Sequence, residues 1–231
     1  MAAVDAPALL GELPLFQGLS PRELRELDRL LRASALPAGS HFITAEEEGE
    51  VVFVILSGTV KIYVNQPDGR EVILAFLGRG DTVGEMSLAD SAGRSANVVT
   101  TEPTRLLSMD RATFQTCLRT LPPLANNLAR LLANRLRFAN EQILALCTLD
   151  VPGRVARQIL ALADRYGHTE AGGEVRIPLR LTQSDLAEIV GASRERVNQV
   201  IVELKQKGSI SVDADHRIRV RERHELARYC R

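Results

Sequence analysis

Between residues 122 and 147 the apolar positions recur with a helical period. Positions 125, 129, 132, 136, 139, 143 and 146 step alternately by four and three and hold Ala, Ala, Leu, Leu, Ala, Ile and Leu, the spacing of a coiled-coil seam. A second apolar row, Leu124, Leu128, Leu131 and Phe138, is available for packing on the domain that precedes it. Two apolar faces require two partners. The pattern therefore predicts a helix of about 40 Å, at 1.5 Å per residue. One face lies on its own domain, and Ala129, Leu132, Leu136, Ala139 and Ile143 meet a second copy of the chain in a parallel homodimer. Pro122 and Pro123 open such a helix but do not continue one.

Before it the period is different. Residues 20–32, SPRELRELDRLLR, carry a capping Ser20, Pro21 at the first helical position and Glu23, which predicts a short helix. From about 38 to 110 the chain turns to short runs rich in Val, Ile, Thr and Phe punctuated by glycine, the signature of a compact β unit, a small sandwich or jelly roll. Gln66-Pro67-Asp68-Gly69 is its best hairpin turn, because proline pre-sets one dihedral and glycine accepts a positive φ.

After it, Leu149-Asp150-Val151-Pro152-Gly153 breaks the long helix: Asp150 caps a new one and Pro152 forbids continued bonding. A further helix, RVARQILALADRY, and a turn-rich surface loop, HTEAGGE, follow. The strongest local pattern is LTQSDLAEIVGASRERVNQVIVELKQKGSI. Thr182 and Asp185 form a capping box, Gly191 ends one helix and Ser193 caps the next, which together predict a helix-turn-helix. The second helix presents Arg194, Glu195, Asn198 and Gln199, side chains able to make paired hydrogen bonds in a major groove. SISVDADHRIRV then reads as a hairpin wing, with Lys205, Lys207, Arg217 and Arg219 expected to meet phosphates. The domains are thus expected at 1–121, 122–149 and 150–231.

Composition narrows the function. No apolar run of the 231 residues reaches 18 without a charge, so no segment spans a bilayer, and a start bearing Asp5 and Glu12 has no secretion signal; a cytoplasmic protein is expected. Cys117, Cys147 and Cys230 and the four histidines are dispersed, so neither a disulfide framework nor a metal site is expected. No nucleophile-elbow, zinc-protease or Walker sequence is present, so no enzyme and no catalytic residue are expected. Net charge is zero, but residues 1–150 hold 14 basic and 18 acidic residues, net −4, and residues 151–231 hold 15 and 11, net +4. Only the second part favours a polyanion.

A second constellation lies inside the β unit: Gly84-Glu85-Met86-Ser87-Leu88-Ala89 followed by Arg94-Ser95-Ala96. Glycine ahead of a helical turn lets backbone N–H groups approach an anion. Arg94 offers planar paired donors to a phosphate, Ser95 a hydroxyl, and Glu85 an acceptor for a sugar hydroxyl. Glu46-Glu47-Glu48 with Glu50 reads as a solvated loop.

The order of β unit, long helix, hinge and helix-turn-helix resembles the cyclic AMP receptor protein (CRP/FNR) family of bacterial transcription regulators across nearly the whole chain. GEMSLADSAGRSA resembles its cyclic-nucleotide phosphate cassette, TLDVPGR its hinge and VGASRERVNQVI its recognition helix. The resemblance implies an α+β fold with an N-terminal jelly roll, a dimerisation helix and a C-terminal winged helix-turn-helix. It implies cyclic AMP as effector, held by Gly84, Glu85, Met86, Ser87, Arg94 and Ser95, with an adenine contact across the dimer from Ala139-Asn140. Thr182, Ser193, Arg194, Glu195, Asn198, Gln199 and Lys205 would meet a near-palindromic double-stranded DNA, and RNA polymerase is an expected partner. Best-known members carry Thr-Ser where this chain has Ala139-Asn140, and an arginine where it has Gln199. Glutamine pairs readily with adenine, so the inner guanine of the half-site is expected to be less strictly required. The family's cysteine-cluster and haem-sensing branches are disfavoured, since no cysteine precedes Cys117 and only His41 precedes the long helix. Two other readings keep part of this: a DNA-binding regulator with another effector or none, and a cyclic-nucleotide module that controls a protein partner.

Overall fold

A computed structural model describes residues 6–69, 71–90 and 93–230; Asp5 and the Ser91-Ala92 part of the glycine-arginine cassette lie outside them. The chain divides into two compact units, residues 1–64 with 76–135 and residues 65–75 with 136–231.

In the first unit, α1 (Ala6–Gly11) and a 3-10 turn (Pro14–Phe16) lead into α2 (Pro21–Asp28). Its capping box is complete: Ser20 N donates to Glu23 Oε2 at 2.6 Å and Glu23 N to Ser20 Oγ at 3.3 Å. The helix ends four residues earlier than its apolar pattern predicts, because Arg32 already pairs with Ser108 as the first residue of a strand. The β unit therefore begins at β1 (Arg32–Leu36), not near residue 38, and continues through β2 (His41–Ile43), β3 (Val51–Ser57), β4 (Val60–Asn65), β5 (Glu71–Leu77), β6 (Thr82–Val83), β7 (Asn97–Thr100) and β8 (Thr104–Asp110). These form two four-stranded sheets, ordered β1-β8-β3-β6 and β2-β7-β4-β5, the jelly roll, although Asn65 of β4 and residues 71–75 of β5 group with the second unit. Among the described residues the only helix within it, α3 (Glu85–Asp90), follows β6. At the hairpin turn Gly69 takes a φ of 83° and donates to Gln66 O at 2.9 Å.

Alternation along β3 and β8 buries Val52, Val54, Leu107 and Met109. Phe114 and Cys117 of α4 (Arg111–Thr120) and Leu124 and Leu128 of α5 (Pro122–Thr148) pack on them. Leu131 is half-buried against the same core, and so is Leu132, which the seam pattern had assigned to the second copy. The row's last member departs: Phe138 belongs to the second unit, where Arg165 stands 5.9 Å from its ring centroid. Asn127 pins α5 to the amino-terminal turn, donating to Leu15 O at 3.1 Å and Gln17 O at 2.7 Å.

In the second unit, α6 (Val151–Tyr166) starts where Asp150 Oδ1 accepts from Gly153 N at 2.9 Å, with Pro152 inside the first turn. Gly153 is required there, because a Cβ would lie 2.6 Å from Tyr229 O. The segment expected as a plain surface loop begins with a short strand, β9 (His168–Thr169), keeps its turn through the glycines, and is followed by β10 (Val175–Arg176). Gly172 and Gly173, at φ 101° and 84°, turn the chain between them. They join β11 (Ile210–Val212) and β12 (Ile218–Val220) in the order β11-β12-β10-β9. The wing is thus the edge of a four-stranded sheet. The helix-turn-helix is α7 (Gln183–Val190) and α8 (Arg194–Gln206), and α9 (Arg223–Arg228) follows the wing. Among the described residues no helix is long and apolar enough to cross a membrane.

Candidate functional site

The first site is built around a buried guanidinium. Arg94 is 9% exposed; its Nη1 donates to Gly84 O at 2.8 Å and Ser87 Oγ at 3.0 Å, and its Nη2 to Val51 O at 2.6 Å. All three acceptors are uncharged, and among the described residues no carboxylate forms an ion pair with Arg94. Burial pushes its pKa down, opposed by the nearby Glu85, yet an arginine stays charged in a protein. A buried cation held by neutral dipoles is a site for an anion.

Two glycines make room for it. A Cβ on Gly84, whose φ is 85°, would overlap the Arg94 guanidinium, and a Cβ on Gly49 would overlap the Ser87 hydroxyl and stand 3.1 Å from Arg94 Cζ. Only glycine serves at position 84, since the backbone is left-handed and the space is occupied. Arg111, which the sequence patterns did not single out, braces the same backbone by donating to Gly49 O at 2.8 Å and Ser87 O at 2.9 Å.

Glu85 is 1% exposed and its Oε2 has no hydrogen-bond partner. Its other oxygen accepts from Arg135 of α5 at 2.5 Å, and Arg135 also bonds Thr82 O. Arg135 is the functional residue that sequence reasoning missed: it lies between the two apolar rows of α5, and only its ion pair reveals a role. Gly84, Glu85, Ser87 and Arg94 are therefore brought together. Met86 and Ser95 are not buried with them; Met86 is 49% exposed and Ser95 is also exposed. Asn140 is exposed on the part of α5 in the second unit.

The second site is the helix-turn-helix. Thr182 Oγ1 donates to Asp185 Oδ2 at 2.7 Å, Gly191 adopts φ 62°, and Ser193 Oγ accepts from Arg196 N at 3.3 Å. Val197, Val200, Ile201 and Leu204 seat α8 in its unit, leaving Glu195, Asn198 and Gln199 on the opposite, exposed face with Val202. Hydrogen bonds from its own backbone and from Ser193 hold the Glu195 carboxyl below the usual range, so it is an ionised acceptor at neutral pH. A cleft of about 560 Å³ between α7, α8 and the wing is lined by Thr182, Gln183, Arg194, Lys205, Asp213 and His216.

Arg194 and Lys205 are exposed with no ion-pair partner among the described residues. The other cations expected to meet phosphates are engaged internally. Lys207 donates to Glu203 at 2.7 Å and to Tyr229 Oη at 2.7 Å, which raises its pKa. Arg219 donates to Glu170 at 3.0 Å, and Arg217 to Pro178 O at 2.9 Å. The Glu203–Lys207 pair is legible as an i,i+4 spacing, whereas Glu170, Pro178 and Tyr229 are too distant in sequence to be foreseen. Among the described residues no group of three or more His, Cys, Asp or Glu is placed to hold a metal ion.

One unit thus holds a pocket suited to an anion and a hydroxyl and the other a capped helix-turn-helix, the parts of a transcription regulator with a cyclic nucleotide-binding domain, and comparisons with known proteins agree. The cyclic nucleotide-binding domain family matches residues 34–120 and the Crp-like helix-turn-helix domain family residues 153–229. The chain is 36% identical over 223 residues to the CRP-like cAMP-activated global transcriptional regulator of Mycobacterium tuberculosis, covering 96% of this chain and 99% of that one. The catabolite activator protein structure of Thermus thermophilus is 32% identical and covers 94% of this chain and 98% of its own, with a TM-score of 0.52. FixK2 of Bradyrhizobium japonicum, at 22% identity, a TM-score of 0.74 and coverages of 86% and 96%, shares the fold. The chain belongs to the CRP/FNR family of transcription regulators.

Proposed function

We propose that the protein is a homodimeric, cyclic AMP-responsive, cytoplasmic regulator that binds near-palindromic double-stranded DNA and acts on RNA polymerase, with no catalytic activity. Its working divisions are 1–121 for the sensor, 122–149 for the dimerisation helix and 150–231 for DNA binding. The observation that carries the effector assignment is the pairing of the buried, carboxylate-free guanidinium of Arg94 with the unpartnered Glu85 Oε2. A cyclic phosphate supplies the anion for the first and the ribose 2′-hydroxyl a proton for the second. Ser95 and Met86 edge the nucleotide, and Asn140 reads adenine from the second copy.

Dimerisation is supported by the exposure of Leu136 at 64% and Ile143 at 59%, large apolar side chains that a lone α5 leaves in water. Ala129 and Ala139 permit close approach, and Leu132 contributes its uncovered edge. The Arg135–Glu85 pair ties α5 to the pocket, so a ligand that engages Glu85 acts directly on the dimerisation helix. It shifts the equilibrium only by its differential affinity for the competent arrangement. Ala139, which has no hydrogen-bonding group, favours a second reading in which another cyclic nucleotide is the effector.

Calorimetric titration with cyclic AMP and cyclic GMP, followed by DNA affinity with and without the bound nucleotide, tests this. Tight cyclic AMP binding that raises DNA affinity supports the reading. Binding of neither nucleotide removes the effector, and DNA affinity without a salt slope removes the DNA.

A further inference from the structure

The two carboxamides on the exposed face of α8 each accept a side-chain hydrogen bond at the carbonyl oxygen. Gln183, the first residue of α7, donates from Nε2 to Asn198 Oδ1 at 2.8 Å. Arg196 donates from Nη1 to Gln199 Oε1 at 3.1 Å, while its backbone N–H serves the Ser193 cap. A carboxamide normally offers two donors and an acceptor, and it is that mixture that matches the N7 acceptor and N6 donor of adenine. With one lone pair of its carbonyl oxygen taken by a neighbour, each amide is biased toward offering its NH2 group. Exposed Arg194 adds further donors, which leaves Glu195 as the acceptor of the face.

We infer that Gln183 and Arg196 are specificity-determining positioning residues: by holding the carbonyls of Asn198 and Gln199, they make both amides read guanine, whose O6 and N7 are both acceptors, and reject adenine. This rests on the DNA-binding reading above and reverses the adenine preference that residue type alone suggests for Gln199. Asn198 orientation depends on a bond between the two helices of the motif, and Gln199 orientation on a bond within one turn of α8, so the two are separately testable.

The experiment selects bound sites from a random DNA pool with the full-length protein and cyclic AMP. Asn198→Ala and Gln199→Ala locate the base pair each amide reads, as the position whose preference disappears. In the unsubstituted protein, guanine is expected over adenine at both positions by at least about fivefold, the lower end of what a paired contact discriminates. Gln183→Met should move the Asn198 position toward adenine by a similar factor, and Arg196→Met the Gln199 position, each leaving the other unchanged. Gln183→Glu, which accepts from the Asn198 NH2 and turns its oxygen outward, should favour adenine or cytosine there and guards against a misfolded Met variant. Adenine selected by the unsubstituted protein, ratios unmoved in the variants, or no preference lost in either alanine variant overturns the inference. Loss of all salt-dependent DNA affinity in the unsubstituted protein instead overturns the reading on which it rests.

Discussion

At the scale of single residues, the sensor pocket is an exercise in burying a charge. Arg94 can be buried because backbone carbonyls and a hydroxyl solvate its guanidinium, and this leaves its positive charge for a ligand. Arg94→Ala is expected to reduce cyclic AMP affinity by at least about tenfold, since a hydrogen bond to a charged group is worth about 1.5–3 kcal/mol; calorimetry reads it, and the far-ultraviolet dichroism should not change. Gly84→Ala should lose nucleotide binding and also about 1–3 kcal/mol of stability, because it strains a left-handed backbone and pushes a methyl group into the guanidinium. Arg94→Ala leaves the Gly84, Ser87 and Val51 acceptors without their donor, so it too should lower stability, which chemical denaturation reads.

Elements differ in what holds them. The start of α4 depends on Asp110, whose Oδ1 accepts from Thr113 N at 2.8 Å, and this hydrogen bonding holds its carboxyl below the usual range. A carboxyl lowered on folding contributes stability that is present above its unfolded value, near pH 3.9, and is lost as pH falls through the folded value. Asp110→Asn keeps a capping acceptor and should flatten the acid limb of the stability curve. Helix α6 rests on the cap at Asp150, and Asp150→Ala should cost about 0.5–2 kcal/mol, read by denaturant midpoint. For helix α5 the proposed partner is a second copy of the chain. Leu136→Glu places like charges at a buried seam, and sedimentation should show a monomer where the unsubstituted chain is a dimer; an unaltered dimer would place the interface elsewhere.

For the whole molecule the expected outcome is geometric. A symmetric dimer should protect two half-sites centred one helical turn, about 34 Å, apart. Inserting five base pairs between them should cut affinity sharply, which a footprinting titration measures. Affinity should also fall steeply with salt, and Lys205→Ala should weaken all sequences alike, reducing the slope by about one. The net −4 of residues 1–150 against the net +4 of residues 151–231 directs DNA to the second part of the chain.

What the sequence determined by itself was every feature written in near neighbours. The capping boxes at Ser20 and Thr182, the left-handed Gly191, the long helix α5 and the grouping of Gly84, Glu85 and Arg94 each follow from residues a few positions apart, where helix geometry or turn chemistry acts. Tertiary structure decided which polar groups are spent and which are free. Arg135 became a pocket residue because a strand turn presents Glu85 to it across 50 residues. Arg219 and Lys207, expected to meet phosphates, take internal partners in Glu170 and Tyr229. The residues flanking the glycine-rich turn became strands because the wing offered β10 an edge. A hydrogen bond takes whichever partner the fold brings within about 3 Å, and separation along the chain carries no record of that choice.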